Sequence, residues 1–170
     1  MVTLEQLLAS RDARHAMQMQ LLKEHPSETV VCLTVVMPGS EKRNQQSLTV
    51  AHAAVEALHQ EFQPLPGHLI ERDLPTGYEA FLITTLDTNE TKRRTCTIED
   101  NHPLGRLFDI DVLSHDGTPI SRQEVGQEAR RCLLCDNEAR FCMRNRTHTQ
   151  EELWDKINQM INDYQPTQNN

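Results

Sequence analysis

Gly105-Arg106-Leu107-Phe108-Asp109-Ile110-Asp111-Val112-Leu113 is the stretch on which the fold turns. Phe108, Ile110 and Val112 fall two apart, so on a strand they share one face. Asp109 and Asp111 then stand side by side on the other face, about 7 Å apart at Cα. The pattern predicts a half-buried strand over Arg106 to Leu113, followed by a turn at Asp116-Gly117 and a short return from Pro119 to Arg122. A strand with one apolar face needs a sheet around it and helices to cover that sheet.

Those partners are legible on either side. Thr29 to Met37 is rich in β-branched residues, with an apolar run from Val30 to Met37 interrupted by Thr34, and reads as a buried strand ending at Pro38-Gly39. His68–Asp73 and Glu79–Thr85 flank Pro75-Thr76-Gly77 as a hairpin, and Arg94–Glu99 reads as a further strand. Thr3 with Gln6 forms a capping-box pattern ahead of an apolar stripe starting at Leu4, Leu7 and Leu8. A helix is expected from Leu4 to Glu24, stopped by Pro26. Ser47 is placed to cap a second helix from Leu48 to Phe62, closed by Pro64, Pro66 and Gly67. Thr149 with Glu152 opens a final amphipathic helix, and Gln165 to Asn170 read as a frayed tail. The fold class expected is α+β, a mixed or mainly antiparallel sheet flanked by helices. One domain is expected over residues 1–170, with a Cys- and Arg-rich segment over about 122–165.

Composition narrows the function classes. A chain of 170 residues with net charge −8 would be repelled by nucleic acid as a general partner. No apolar run approaches the roughly 20 residues of a membrane span, and the first residues lack the pattern of a secretory signal. Five cysteines, an odd number, favour a reducing compartment over a disulfide scaffold. Together these features predict a cytoplasmic protein. Six arginines lie between Arg122 and Arg146 against four carboxylates. A basic island on an acidic chain suits a compact polyanion, or is a solvated face.

Three constellations can carry chemistry. Asp109 and Asp111 repel each other unless a cation intervenes, and Mg²⁺ takes one or two carboxylates together with substrate phosphates. The same spacing also fits aspartates that simply face water. Pro38-Gly39-Ser40-Glu41-Lys42 can offer backbone N–H groups and a lysine to a phosphate, without Walker spacing, or can be an ordinary connection. Cys132-x2-Cys135-x6-Cys142-x5-His148 has the ligand types of a closed zinc site. Its alternative is three small buried side chains beside a helix start. Cys32 and Cys96 fall in strand patterns as core residues. No Gly-x-Ser-x-Gly elbow is present.

The run His102-Pro103-Leu104 leading into Gly105–Leu113 resembles the apo-citrate lyase phosphoribosyl-dephospho-CoA transferase family. So do Gly117, Ile120-Ser121-Arg122, Arg131-Cys132-Leu133-Leu134-Cys135, Ala139, Cys142, Arg144 and His148. Ser10-Arg11-Asp12-x-Arg14 with Gln18, and Thr34-Val35-Val36-x-Pro38-Gly39 with Lys42, extend the resemblance through the N-terminal half. Ser40 stands where that family commonly has a second proline. The resemblance implies a donor, triphosphoribosyl-dephospho-CoA, and an acceptor serine on the acyl carrier (gamma) subunit of citrate lyase. Pyrophosphate would leave in a nucleotidyl transfer. It implies Mg²⁺ on Asp109 and Asp111, with Arg106, Gly105, Lys42, Arg14 and Arg122 at the triphosphate. The analogous transferase of malonate decarboxylase suggests a nucleotidyltransferase-like fold, although its upstream Gly-Ser element is not evident here. Two other readings stay open: a non-catalytic carrier-binding or assembly protein with a zinc knuckle, and a triphosphoribosyl-dephospho-CoA synthase.

Overall fold

The computed structural model describes residues 1–164, so the expected tail from Gln165 lies outside the described residues. Helix α1 (Leu4–Glu24) carries the expected capping box, with the Thr3 side chain accepting from the Gln6 N–H and the Gln6 side chain accepting from Thr3 N–H. Strand β1 (Thr29–Val35), helix α2 (Gln45–Phe62), the hairpin β2 (Leu69–Leu74) and β3 (Gly77–Thr84), helix α3 (Thr88–Asn101) and strand β4 (Phe108–Val112) follow. Helices α4 (Ala139–Asn145) and α5 (Gln150–Tyr164) complete the described chain.

Every neighbouring strand pair is antiparallel, and the sheet order is β2-β3-β1-β4. This is the expected α+β architecture. Alternation sorts the two faces. Val31, Leu33, Ala80, Leu82, Phe108, Ile110 and Val112 pack with α2 and α5 in the larger core. Val30, Cys32, Phe81, Ile83 and Leu113 pack against Leu21 and Leu22 of α1 in a smaller one. Burying each of these large apolar side chains contributes roughly 1.5–3 kcal/mol, so the sheet holds mainly through the α2/α5 face.

Four expectations need correcting. Arg94–Glu99 is not a strand but the middle of α3. Asp87 caps that helix at the Glu90 N–H, and Thr91, Lys92, Thr95, Cys96 and Glu99 form its buried stripe. The stripe has helical spacing but is mostly polar, so apolar periodicity could not reveal it. Helix α2 starts three residues earlier than expected, because Asn44 is the cap and Ser47 completes the capping box from inside. The apolar stripe at the start of α1 is not core: Leu4 is 72% exposed and Leu8 48% exposed. The strand expected over Arg106–Leu113 begins only at Phe108. Gly105–Leu107 is a 3-10 turn, so Arg106 does not share the alternation that places the aspartates.

Candidate functional site

Strand β4 lies at the sheet edge, with Asp109 opposite Thr34 and Asp111 opposite Cys32 on β1. The Thr34 hydroxyl donates to Asp109 Oδ2 at 3.3 Å. Asp109 is exposed, whereas Asp111 is largely covered. Burial pushes the Asp111 carboxyl up to about 6, and the charge of Asp109 adds to the effect. Lys92 and Arg14 pull it the other way. Two oxygen-donor side chains whose joint ionisation is resisted fit a hard divalent cation, which relieves that repulsion.

The outer edge of β4 is held by α3. Glu99 Oε2 accepts the backbone N–H of Ile110 at 3.2 Å, and Lys92 Nζ makes a long contact of 3.5 Å to the Ile110 carbonyl. Glu99 is 3% exposed and Lys92 6%. Such a buried carboxylate needs cations. Arg122 Nη2 lies 2.9 Å from Glu99 Oε1, and Arg130 Nη1 lies 3.4 Å from Oε2. Arg122 also pairs with Asp100 at 3.0 Å. Arg130 donates to the carbonyls of Gly105 and Arg106 at 3.3 and 2.8 Å. Gly105 packs so tightly on α3 that an added Cβ would lie 2.7 Å from the Ile98 carbonyl oxygen.

On the α1 side of the sheet a cleft of about 260 Å³ opens beside Thr34. Arg11, Arg14 and Lys42 supply its cationic lining. The Arg14 guanidinium donates to Glu79 Oε1 at 3.2 Å. On the other oxygen, Arg72 forms an ion pair with Glu79 at 3.0 Å. Glu79, 2% exposed, thereby orients two arginines. Lys42 Nζ donates to the Met37 carbonyl at 2.6 Å and so ties the loop after β1; burial lowers its pKa. Arg11 makes no ion pair among the described residues.

The basic residues expected at one site therefore divide between two places. Arg14 and Lys42 share the cleft next to Thr34 and the aspartate pair. Arg106 belongs with Arg130 and Arg122, whose charges reinforce burial in lowering its pKa. Glu79, Arg72 and Glu99 were missed in the sequence. The one available signal was an acid in register with buried apolar neighbours, as Glu79 is with Phe81 and Ile83 on β3.

The cysteine-rich segment forms a separate cluster. Cys132, Cys135, Cys142 and His148 bring one ligand atom each to within 4.8 Å of one another, a group able to hold a metal ion. His25, Glu28 and His68 form a second such group, already joined by the 2.9 Å contact between His25 Nδ1 and Glu28 Oε1. Burial raises the pKa of both other cysteines, Cys32 to about 12, in keeping with core packing. No helix among the described residues is long and apolar enough to cross a membrane.

Residues 2–164 match the family model described as apo-citrate lyase phosphoribosyl-dephospho-CoA transferase. A protein of Vibrio cholerae serotype O1 (strain M66-2), named "Probable apo-citrate lyase phosphoribosyl-dephospho-CoA transferase", is 40% identical over 96% of this chain and 93% of its own length. One of Escherichia coli O7:K1 (strain IAI39 / ExPEC), named "Apo-citrate lyase phosphoribosyl-dephospho-CoA transferase", is 36% identical over 95% of this chain and 90% of its own.

Proposed function

The chain belongs to the apo-citrate lyase phosphoribosyl-dephospho-CoA transferase family, and from that premise we propose that it is a nucleotidyltransferase loading the acyl carrier subunit of citrate lyase. The donor is triphosphoribosyl-dephospho-CoA. A serine hydroxyl of the carrier attacks the phosphorus nearest the ribose, a new P–O bond forms, and the bond to pyrophosphate breaks. The serine proton passes to a carboxylate of the aspartate pair.

The observation that carries this reading is the placement of Asp109 and Asp111 on the polar face of β4, one strand from a cleft lined by Arg11, Arg14 and Lys42. Asp109 and Asp111 would hold Mg²⁺, which supplies charge neutralisation at the reacting phosphate and at the departing pyrophosphate. Arg14, oriented by Glu79, meets phosphate oxygens with its remaining N–H groups. Lys42 sets the mouth of the cleft through its loop carbonyl. Arg106, half-buried and without an ion pair among the described residues, would take an anion near the 3-10 turn. Arg122 acts from behind, through Glu99 and Asp100. Cys132, Cys135, Cys142 and His148 would hold zinc, in a structural capacity apart from the transfer step.

The test is direct. The purified chain is incubated with donor, Mg²⁺ and apo-carrier, and the carrier is weighed by mass spectrometry. A gain equal to the phosphoribosyl-dephospho-CoA group with release of pyrophosphate is expected. An unmodified carrier would refute the reading, and consumption of ATP with dephospho-CoA would replace it with donor synthesis.

A further inference from the structure

The cysteine cluster has the chemistry of a closed tetrahedral zinc site. Zinc–sulfur bonds of about 2.3 Å and zinc–nitrogen bonds of about 2.0–2.1 Å put ligand atoms roughly 3.5–3.8 Å apart in a tetrahedron. Cys135 Sγ and Cys142 Sγ already lie 3.4 Å from each other. The Leu134 N–H points at Cys132 Sγ at 3.4 Å, a donor that suits a thiolate. His148 supplies the independent sign: its Nε2 is buried and has no hydrogen-bond partner among the described residues. A buried polar atom left so costs stability unless something binds it, and a metal does.

The cluster also has a mechanical connection to the rest of the molecule. The Cys132 N–H donates to the Asn137 carbonyl at 2.7 Å, and the Ala139 N–H donates to the Arg130 carbonyl at 2.8 Å. The backbone of Arg130 is therefore pinned to the loop that carries the ligands. Its guanidinium reaches across to the carbonyls of Gly105 and Arg106 and to Glu99. Glu99 in turn holds the amide of Ile110, between the two aspartates.

We propose that Cys132, Cys135, Cys142 and His148 bind one structural Zn²⁺, and that this metal anchors Arg130 as a positioning residue for the turn and strand that carry Asp109 and Asp111. The metal and its anchoring role stand on their own; their bearing on catalysis rests on the transferase reading.

The test needs no turnover. The full chain, purified without chelator under reducing conditions, is expected to carry about one zinc per molecule. Exchange with Co²⁺ should give the visible absorption of tetrahedral thiolate coordination. Hydrogen–deuterium exchange then reads the link to the strand. Stripping the metal should speed exchange across residues 105–110 by about tenfold or more. Arg130→Gln should do the same while zinc is retained. A metal-free, fully folded preparation without the cobalt bands would overturn the site, as would a Cys135–Cys142 disulfide in the native protein. Unchanged exchange at 105–110 in both the stripped protein and Arg130→Gln would overturn the anchoring. Failure of the transferase reading appears separately, in the carrier mass.

Discussion

Glu99 and Ile110 are joined by a 3.2 Å hydrogen bond from the Ile110 backbone N–H to the Glu99 carboxylate, made at the outer edge of the sheet. The bond lets a buried acid do two jobs. It satisfies an amide that no neighbouring strand reaches, and it gathers Arg122 and Arg130 against the strand of the aspartate pair.

Replacing Glu99 by Gln keeps the shape and removes the charge. Arg122 and Arg130 then lose their shared counter-charge in a covered position. The expected loss is about 3 kcal/mol, since Arg130 is left without its counter-charge and Arg122 keeps only the more exposed Asp100. Urea unfolding at neutral pH measures it; a change below about 0.5 kcal/mol would mean that water already screens the network.

Gly105→Ala is expected to be costly for a steric reason. The new methyl group meets backbone carbonyls of Ile98 and Glu99, which cannot swing aside as a flexible side chain could. Overpacking of this kind costs about 1–3 kcal/mol, and the displaced 3-10 turn would carry β4 with it. A thermal midpoint equal to that of the parent protein would contradict the contact.

The raised pKa of Asp111 sets a pH dependence. A carboxyl whose folded pKa lies near 6 and unfolded pKa near 3.8 disfavours folding once it ionises. In buffer free of divalent cations, the protein should lose stability as pH rises from about 4 to above 6. Asp111→Asn removes the charge, so it should raise the melting temperature at pH 7.5 and leave it nearly unchanged at pH 4. An equal shift at both values would point to packing rather than ionisation.

Kinetics should separate the aspartate face from the cleft. Asp109, exposed, has little fold to support, so Asp109→Ala should keep the melting temperature and reduce the rate of carrier loading by about a hundredfold or more. Arg14→Lys keeps a charge but loses the forked contact. It should raise KM for the donor more than it lowers kcat. Wild-type rates from either variant would remove that residue from the site.

The aspartate-bearing strand was readable from its two-residue alternation, β1 from an almost unbroken run of β-branched and apolar residues, and the hairpin from the turn Pro75-Thr76-Gly77 between two strand patterns. The first and last helices announced themselves through Thr3/Gln6 and Thr149/Glu152, which form the contacts their spacing suggests. Helix α3 was hidden because its inward face is Thr91, Lys92, Thr95 and Glu99. Those residues look solvated until β4 and two arginines are in place beside them. The division of the basic residues was equally invisible. Whether Arg14 and Arg106 meet depends on which side of the sheet each segment packs, and the spacing along the chain is silent on that.

The sheet order has a consequence for how the protein comes into being. Thr34 and Asp109 touch although 75 positions separate them in the chain, with α2, the hairpin and α3 completed in between. Hairpin strands find each other quickly, while a pairing across so long a span waits for the intervening elements. The mutually repelling carboxylates thus arrive late, on a scaffold already assembled, and do not burden the early nucleus. Destabilising substitutions of the buried face of β4, such as Ile110→Val, should accordingly accelerate unfolding and leave the refolding rate nearly untouched in stopped-flow measurements. The charge conflict at the heart of the site is then carried by the native state alone.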